Sequence, residues 1–218
     1  MIYEKTKKAK FIKRPNRFVA YVDIDGEEEK IHVKNTGRCK ELLLPGSNLI
    51  LEDKSHIKTR KTRYSLISVY KGDMLVNMDS QVPNKVVYNG ILDGKINLFN
   101  DIKLLQNEKT YKNSRFDLYY ESASKRGFIE IKGVTLENDG ISMFPDAPTV
   151  RGTKHVYEMV DAVKNGYEGT IFFLIQMKGP HIFKVNKEMD PDFYKAILYA
   201  NENNVNIIAY DSIVTEDN

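Results

Sequence analysis

The chain has 218 residues, 41% hydrophobic and 29% charged, which suits one large domain or two small ones with a real core and excludes a disordered or membrane-embedded chain. Its single cysteine, Cys39, excludes an internal disulfide framework and multi-cysteine zinc sites, and makes a reducing cytoplasm the expected compartment. The net charge of +3 looks too small to attract a polyanion, but it is unevenly spread.

The first eleven residues, MIYEKTKKAKF, place no apolar run behind their lysines, so no secretory leader is expected. The longest apolar run, near Ile171–Met177, is far short of the roughly 18–20 residues a membrane helix needs, so no membrane partner is expected. Residues 1–71 carry 17 Lys+Arg against 9 Asp+Glu, a net of +8, and residues 72–218 a net of −5. The basic residues cluster as KKAKFIKRPNR (Lys7–Arg17) and KTRKTR (Lys58–Arg63), with Phe11, Phe18, Tyr21 and Tyr64 interleaved as rings on which bases can stack. A solvated basic face is the competing reading of the same residues.

In chain order, Arg17–Ile24 reads as a strand, Asp25-Gly26 as a hairpin turn because glycine accepts positive φ, and Lys30–Val33 as the returning strand. A short helix is expected over Cys39–Leu44, stopped by Pro45-Gly46. Strands follow near Asn48–Glu52, Tyr64–Tyr70 and Met74–Met78. Short strands, tight turns and one small helix predict a small barrel of the oligonucleotide-binding (OB) kind, although other five-stranded barrels share the pattern.

From Ser80 the rhythm changes. Pro83 opens a helix to about Leu92. Strands are expected at Lys95–Phe99 or Ile102–Gln106, then Arg115–Glu121 and Phe128–Val134. Thr149 caps a long helix that ends at Gly166. Thr170–Met177 reads as a buried strand, His181–Val185 as a short one, Asp190 or Asp192 as the start of a second long helix, and Val205–Tyr210 as a last strand. The fold class is therefore α/β, of the mixed α+β type, divided into residues 1–80 and 81–218.

Asp117, Glu130 and Lys132 are the candidate chemistry. Folding Arg115–Glu121 onto Phe128–Gly133 symmetrically about Ser122–Gly127 sets Asp117 opposite Lys132 and Glu130 opposite Tyr119. Alternation then puts the three charged residues on one face, and Phe116, Leu118, Tyr120, Ile129 and Ile131 on the other. Diagonal carboxylates about 7–8 Å apart at Cα reach one cation, and the Ile131 carbonyl adds a ligand. Magnesium or manganese suits such oxygens, lowers the pKa of a bound water and neutralises charge on a scissile phosphate. Lys132 would orient that water or stabilise the phosphate. A bare D…E-x-K pattern is common by chance, and a surface Glu130–Lys132 ion pair is the alternative. What singles this one out is the apolar alternate face and the helix that follows. In that helix Val156, Met159, Val160 and Val163 form a core stripe, with Arg151, His155 and Glu158 beside it. Arg151 and Lys154 would hold phosphate near the helix start, and His155 and Glu158 would support metal or water from behind.

The runs R-P-N-R-F (Arg14–Phe18), N-T-G-R (Asn35–Arg38), E-L-L-L-P-G (Glu41–Gly46), R-K-T (Arg60–Thr62), S-R-F-D (Ser114–Asp117), E-I-K-G-V-T-L (Glu130–Leu136), F-P-D-A (Phe144–Ala147) and R-G-T-K-H (Arg151–His155) closely resemble the sugar fermentation stimulation protein A family. The resemblance implies an OB-type barrel followed by a domain like the PD-(D/E)xK nucleases, with Asp117 as the first acid and Glu130 and Lys132 as the E-x-K. It implies DNA binding without strong sequence preference and a regulatory part in the use of maltose and other sugars. It also implies a metal-assisting glutamate in the first helix, where this chain has Asn89, and a methionine where this chain has Cys39. Pro145-Asp146 follows the E-x-K and so cannot supply the leading acid.

The nucleic-acid contacts expected on this basis are Arg14, Arg17, Asn35, Arg38, Arg60, Lys61, Arg63, Arg151 and Lys154. In the Asn35–Arg38 loop, Gly37 would let the backbone approach a phosphate that Arg38 contacts. The leading reading is a DNA-binding (or RNA-binding) regulator. A magnesium- or manganese-dependent nuclease is the alternative, and an enzyme acting on a sugar phosphate is a third.

Overall fold

A computed structural model of the chain describes residues 2–35, 37–99 and 101–217; Thr36, part of the N-T-G-R run, lies outside them. The basic run Lys7–Arg17 is largely a strand, β1 (Thr6–Asn16). Its lysines alternate with Ala9 and Phe11, which are buried, so period-two alternation survives inside what reads as a charge cluster. β2 (Val19–Ile24) turns into β3 (Glu27–His32) through Asp25 and Gly26, both at positive φ. β4 (Asn48–Asp53), β5 (Tyr64–Lys71) and β6 (Met74–Asn77) follow. β1 pairs antiparallel with β2 and with β4, β2 with β3, and β4 with β5. A parallel contact between His32 and Ser65 joins β3 to β5 and closes a five-stranded OB-like barrel, with β6 attached to β5. The expected helix at Cys39–Leu44 is instead a turn: Cys39 has φ 44°, and Pro45-Gly46 leave no room for a second turn to offset the cost of nucleation.

α1 (Val82–Leu92) takes Pro83 in its first turn. The next strand is β7 (Ile102–Tyr111); Lys95–Phe99 is not a strand. β8 (Ser114–Ser122) and β9 (Arg126–Val134) form the expected hairpin. Two short strands absent from the sequence reading, β10 (Leu136–Asn138) and β11 (Ile141–Phe144), precede α2 (Val150–Lys164). Thr149 caps α2, its side chain accepting from the Gly152 N–H. β12 (Glu168–Ile175), β13 (Ile182–Val185), α3 (Pro191–Glu202, capped by Asp190) and β14 (Asn206–Asp211) complete the chain.

The main sheet has the order β14-β12-β9-β8-β7, parallel from β14 to β9 and antiparallel from there to β7. α2 and α3 cover one face, where Met159, Val160 and Phe193 meet Phe116, Phe128 and Phe173. α1 covers the other, with Val87 and Ile91 against Leu118, Ile129 and Ile131. Burying each of these large side chains contributes about 1.5–3 kcal/mol. Central β12 is covered on both faces, which is why it reads as unbroken hydrophobicity.

Barrel and sheet domain are cross-linked. Lys71 Nζ meets Glu137 Oε2 at 2.6 Å and the Arg38 N–H donates to Asp146 Oδ2 at 3.0 Å, while Lys34, within residues 1–80, pairs with the buried Asp79 just before α1. These links set the end of β5 against β10 and the loop after β3 against the approach to α2.

Candidate metal and nucleic-acid site

The site begins where the β8–β9 ladder ends. Its registered pairs run from Glu121–Arg126 to Leu118–Ile129. The hairpin turns over Ser122–Lys125, where the Ser122 N–H donates to the Lys125 carbonyl, rather than symmetrically over Ser122–Gly127. The register is therefore two residues from the one expected: Tyr119 pairs with Phe128, not Glu130, and Asp117 comes level with Glu130, not Lys132. The face assignment changes too. Leu118, Ile129 and Ile131 share one face as expected, and α1 covers it, but Phe116 lies on the α2 face with Phe128. Alternation along β8 thus breaks at Asp117, where the two strands part.

Asp117 fills the opening between them. Its Oδ2 accepts from the Ile131 N–H at 2.7 Å, supplying the partner that a paired strand would have given, and its Oδ1 accepts from Asn84 Nδ2 at 2.7 Å. Asn84, in the first turn of α1, is a site residue that sequence reasoning missed. Asn89, the helix position singled out by resemblance, is exposed and borders a different cavity.

Glu130 is 3% exposed. One oxygen, Oε1, receives Lys132 Nζ at 2.5 Å and lies 2.6 Å from His155 Nδ1. The other, Oε2, is buried with no hydrogen-bond partner among the described residues. An acceptor in that state is costly unless something positive meets it. Burial, and then the charge of Glu130, push the Asp117 carboxyl above its ordinary range. Burial also pushes Glu130 upward, but Lys132 and His155 outweigh it and hold the group below the ordinary value. Two neighbouring carboxylates driven in opposite directions are a recurring mark of acid–base and metal chemistry.

The orphaned Oε2 beside Asp117 fits a divalent cation held by two carboxylates and a backbone carbonyl. Among the described residues no three His, Cys, Asp or Glu side chains gather into a fuller cage. Magnesium-type sites, which keep several waters, need no such cage.

The supporting stripe divides. His155 joins Glu130, and Arg151 Nε lies 3.5 Å from His155 Nε2, leaving the Arg151 side chain exposed at the start of α2. Glu158 does not reach the carboxylates; it faces Lys154 at 3.7 Å, and Lys154 also reaches the Asn113 carbonyl at 3.4 Å.

Several barrel cations are already committed. The Arg14 guanidinium donates to the carbonyls of Arg17, Asn35, Gly37 and Arg38, so it staples the loop after β3. Arg60 donates to the Thr62 carbonyl and Ser65 Oγ, and Arg63 to Asp53. Asn35 Oδ1 accepts from the Gly37 N–H. A Cβ on Gly37 would collide with Asp146 Oδ2 and Asn35 Oδ1, so the close approach glycine permits here is to Asp146. The exposed side chains of Arg17, Arg38 and Lys61 enter no ion pair among the described residues, and Arg17 lies 5.0 Å from the Phe18 ring centre. Of the proposed stacking rings, Phe11 and Tyr64 are buried, Tyr21 is half-buried and Phe18 is exposed. Cys39 is buried, and its thiol is pushed up to about 12, chiefly by burial, as suits an inert core residue.

Comparison with known proteins agrees with this layout. Residues 12–78 match the model of the SfsA N-terminal OB domain, and residues 81–218 that of the sugar fermentation stimulation protein RE domain. The chain belongs to the sugar fermentation stimulation protein family. It is similar to the sugar fermentation stimulation protein homolog of Alkaliphilus oremlandii, with 56% identity over 100% of this chain and 94% of that protein. The homolog of Clostridium beijerinckii is 55% identical over 100% of this chain and 95% of its own. A solved structure of Pyrococcus furiosus SfsA in complex with Ca2+ is similar along the whole chain, with a TM-score of 0.89, 26% identity and coverage of 94% of that chain. No helix among the described residues is long and apolar enough to cross a membrane.

Proposed function

We propose that this chain binds nucleic acid across its barrel and hydrolyses phosphodiester bonds with a divalent metal at Asp117 and Glu130. The observation that carries this reading is Glu130: one oxygen is fixed by Lys132 and His155, and the other is buried without a partner beside Asp117. Asp117, Glu130 and the Ile131 carbonyl would hold the cation, with magnesium or manganese the expected metal. The cation supplies a water of lowered pKa and neutralises charge on the scissile phosphate. Lys132 orients and stabilises at the attacked phosphorus, His155 keeps Glu130 aimed, and Asn84 keeps Asp117 in place. Arg151, 3.5 Å from the His155 that holds Glu130, is an exposed cation suited to a neighbouring phosphate, and Arg38 is a second exposed cation, on the loop after β3. The Ca2+ bound by the Pyrococcus furiosus structure supports a divalent-metal reading, since calcium and magnesium share oxygen ligands. We take residues 1–80 as the binding unit and 81–218 as the catalytic one.

A second reading, a DNA-binding regulator of sugar use without catalysis, is favoured by one feature: both Asp117 oxygens already have donors, one of them an amide where a further carboxylate would strengthen metal binding. A cleavage assay separates the two. Single- and double-stranded DNA and RNA are incubated with magnesium or manganese, with Asp117→Asn in parallel. Metal-dependent cleavage lost in the variant supports the nuclease; intact substrate under every condition, with binding retained, leaves the regulator.

A further inference from the structure

A cavity of about 620 Å³ opens beyond the carboxyl ends of β12 and β14, between α1, the barrel and the chain after β14. The volume suits a small organic molecule. Val82 and Val86 of α1, Ile96 and Leu174 make most of its wall apolar.

Its floor is a buried polar chain. Gln176 Nε2 donates to Asn77 Oδ1 at 3.1 Å, to the Asn77 carbonyl at 3.1 Å and to the Asp79 carbonyl at 3.3 Å. Asn77 Nδ2 in turn donates to the Tyr3 hydroxyl at 3.1 Å. Tyr3, Asn77 and Gln176 are each at most 5% exposed. Two valences are left over. Gln176 Oε1 takes no donor, and the Tyr3 hydroxyl proton has no acceptor, among the described residues. Burial pushes the Tyr3 phenol far above its ordinary value, so that proton stays in place at neutral pH. The floor therefore presents one acceptor and one donor whose orientations are locked by the rest of the chain. The charged rim is already neutral in pairs, Lys178 with Asp211 at 2.7 Å and Lys95 with Asp93 at 3.7 Å.

The geometry points to a nucleobase site: an uncharged planar ring between apolar walls, its amide or amidine edge meeting Gln176 Oε1 and the Tyr3 hydroxyl. The neutral rim disfavours a sugar phosphate. α1 stands between the cavity and the carboxylate centre, with Val82 on the cavity wall and Asn84 on Asp117. The base comes either from a free nucleoside or from a nucleotide turned out of a bound strand; the second source rests on the nucleic-acid reading above, the first does not.

The test titrates the full chain with adenosine, guanosine, cytidine and uridine by NMR, and separately with a single-stranded oligonucleotide carrying 2-aminopurine. At least one nucleoside should saturate, and Val86→Phe should weaken it about tenfold or more by filling the cavity. Ile213→Trp, at an exposed position on the cavity mouth, should act in the same direction without risk to the core. A 2-aminopurine signal that Val86→Phe removes, while anisotropy still reports strand binding, assigns the strand as source. Saturation by nucleosides with no 2-aminopurine response assigns the free molecule. Nucleosides that saturate when no oligonucleotide binds at all keep this site and overturn the nucleic-acid reading. No saturation by any nucleoside together with an unresponsive 2-aminopurine strand overturns the site.

Discussion

In the barrel, the terminal nitrogens of Arg14, and the guanidinium groups of Arg60 and Arg63, donate to carbonyls, a hydroxyl and a carboxylate of the same region. In the sheet domain, Glu130 is buried and keeps one oxygen with no donor among the described residues. The +8 of the first 71 residues thus overstates the attraction available to a polyanion, because part of it is internal fastening. The acidic remainder understates what its site can do, because there the unsatisfied oxygen belongs to a buried carboxylate, Glu130, with a second carboxylate, Asp117, as its neighbour. Charge counts report neither; commitment of the individual donors and acceptors does.

The sharpest way to break this contrast is Asp117→Asn. It preserves shape and removes the charge that would hold a cation, so metal-dependent cleavage should fall about a thousandfold, while strand binding by anisotropy stays close to wild type. Equal loss of both would mean that binding and chemistry share one surface. His155→Ala comes next. Glu130 would keep Lys132 but lose its second fixed partner, and metal affinity should drop about 10–100-fold, read by calorimetry with magnesium or manganese. An unchanged affinity would show that Lys132 alone aims the carboxylate.

The elements around this site were largely legible. Thr149 caps the helix it was expected to cap, Asp190 rather than Asp192 caps the last helix, and β12 is the unbroken apolar strand its sequence suggests. β1 was obscured because its inward Ala9 and Phe11 sit among lysines, and a charge cluster and an edge-on strand share that spelling. The β8–β9 register slipped because Ser122–Lys125 lacks the Asn-Gly or Asp-Gly pair that would have marked the turn. Asn84 was hidden for a different reason. It reaches Asp117 only because α1 crosses the point where two strands separate, and nothing local to Val82–Leu92 encodes that crossing.

Arg14 and Lys61 carry the contrast into the barrel itself. Arg14→Ala would free four carbonyls and should cost about 2 kcal/mol of stability, measured by chemical denaturation. Lys61→Glu touches an exposed, unpaired cation and should leave stability within about 0.5 kcal/mol. It should instead weaken strand binding and lower the slope of log affinity against log salt by about one or more. A reversed pattern would mean that the fastened arginine is the contact and the free lysine is not.

The smallest expected effect tests how the two regions are joined. Burial pushes Glu137 upward, but Lys71 and the Gly140 N–H outweigh it and hold the carboxylate below its ordinary value. A group depressed in this way adds stability above its unfolded pKa of about 4.3 and loses it as pH falls through the folded value. Acidification below about pH 4 should therefore loosen the barrel from the sheet domain before either core is lost. Glu137→Gln should lower Tm near neutral pH and flatten the acid limb of Tm against pH, because the variant has no proton to take up there. If the acid limb is as steep in Glu137→Gln as in the parent chain, the contact between the regions rests on Arg38–Asp146 instead.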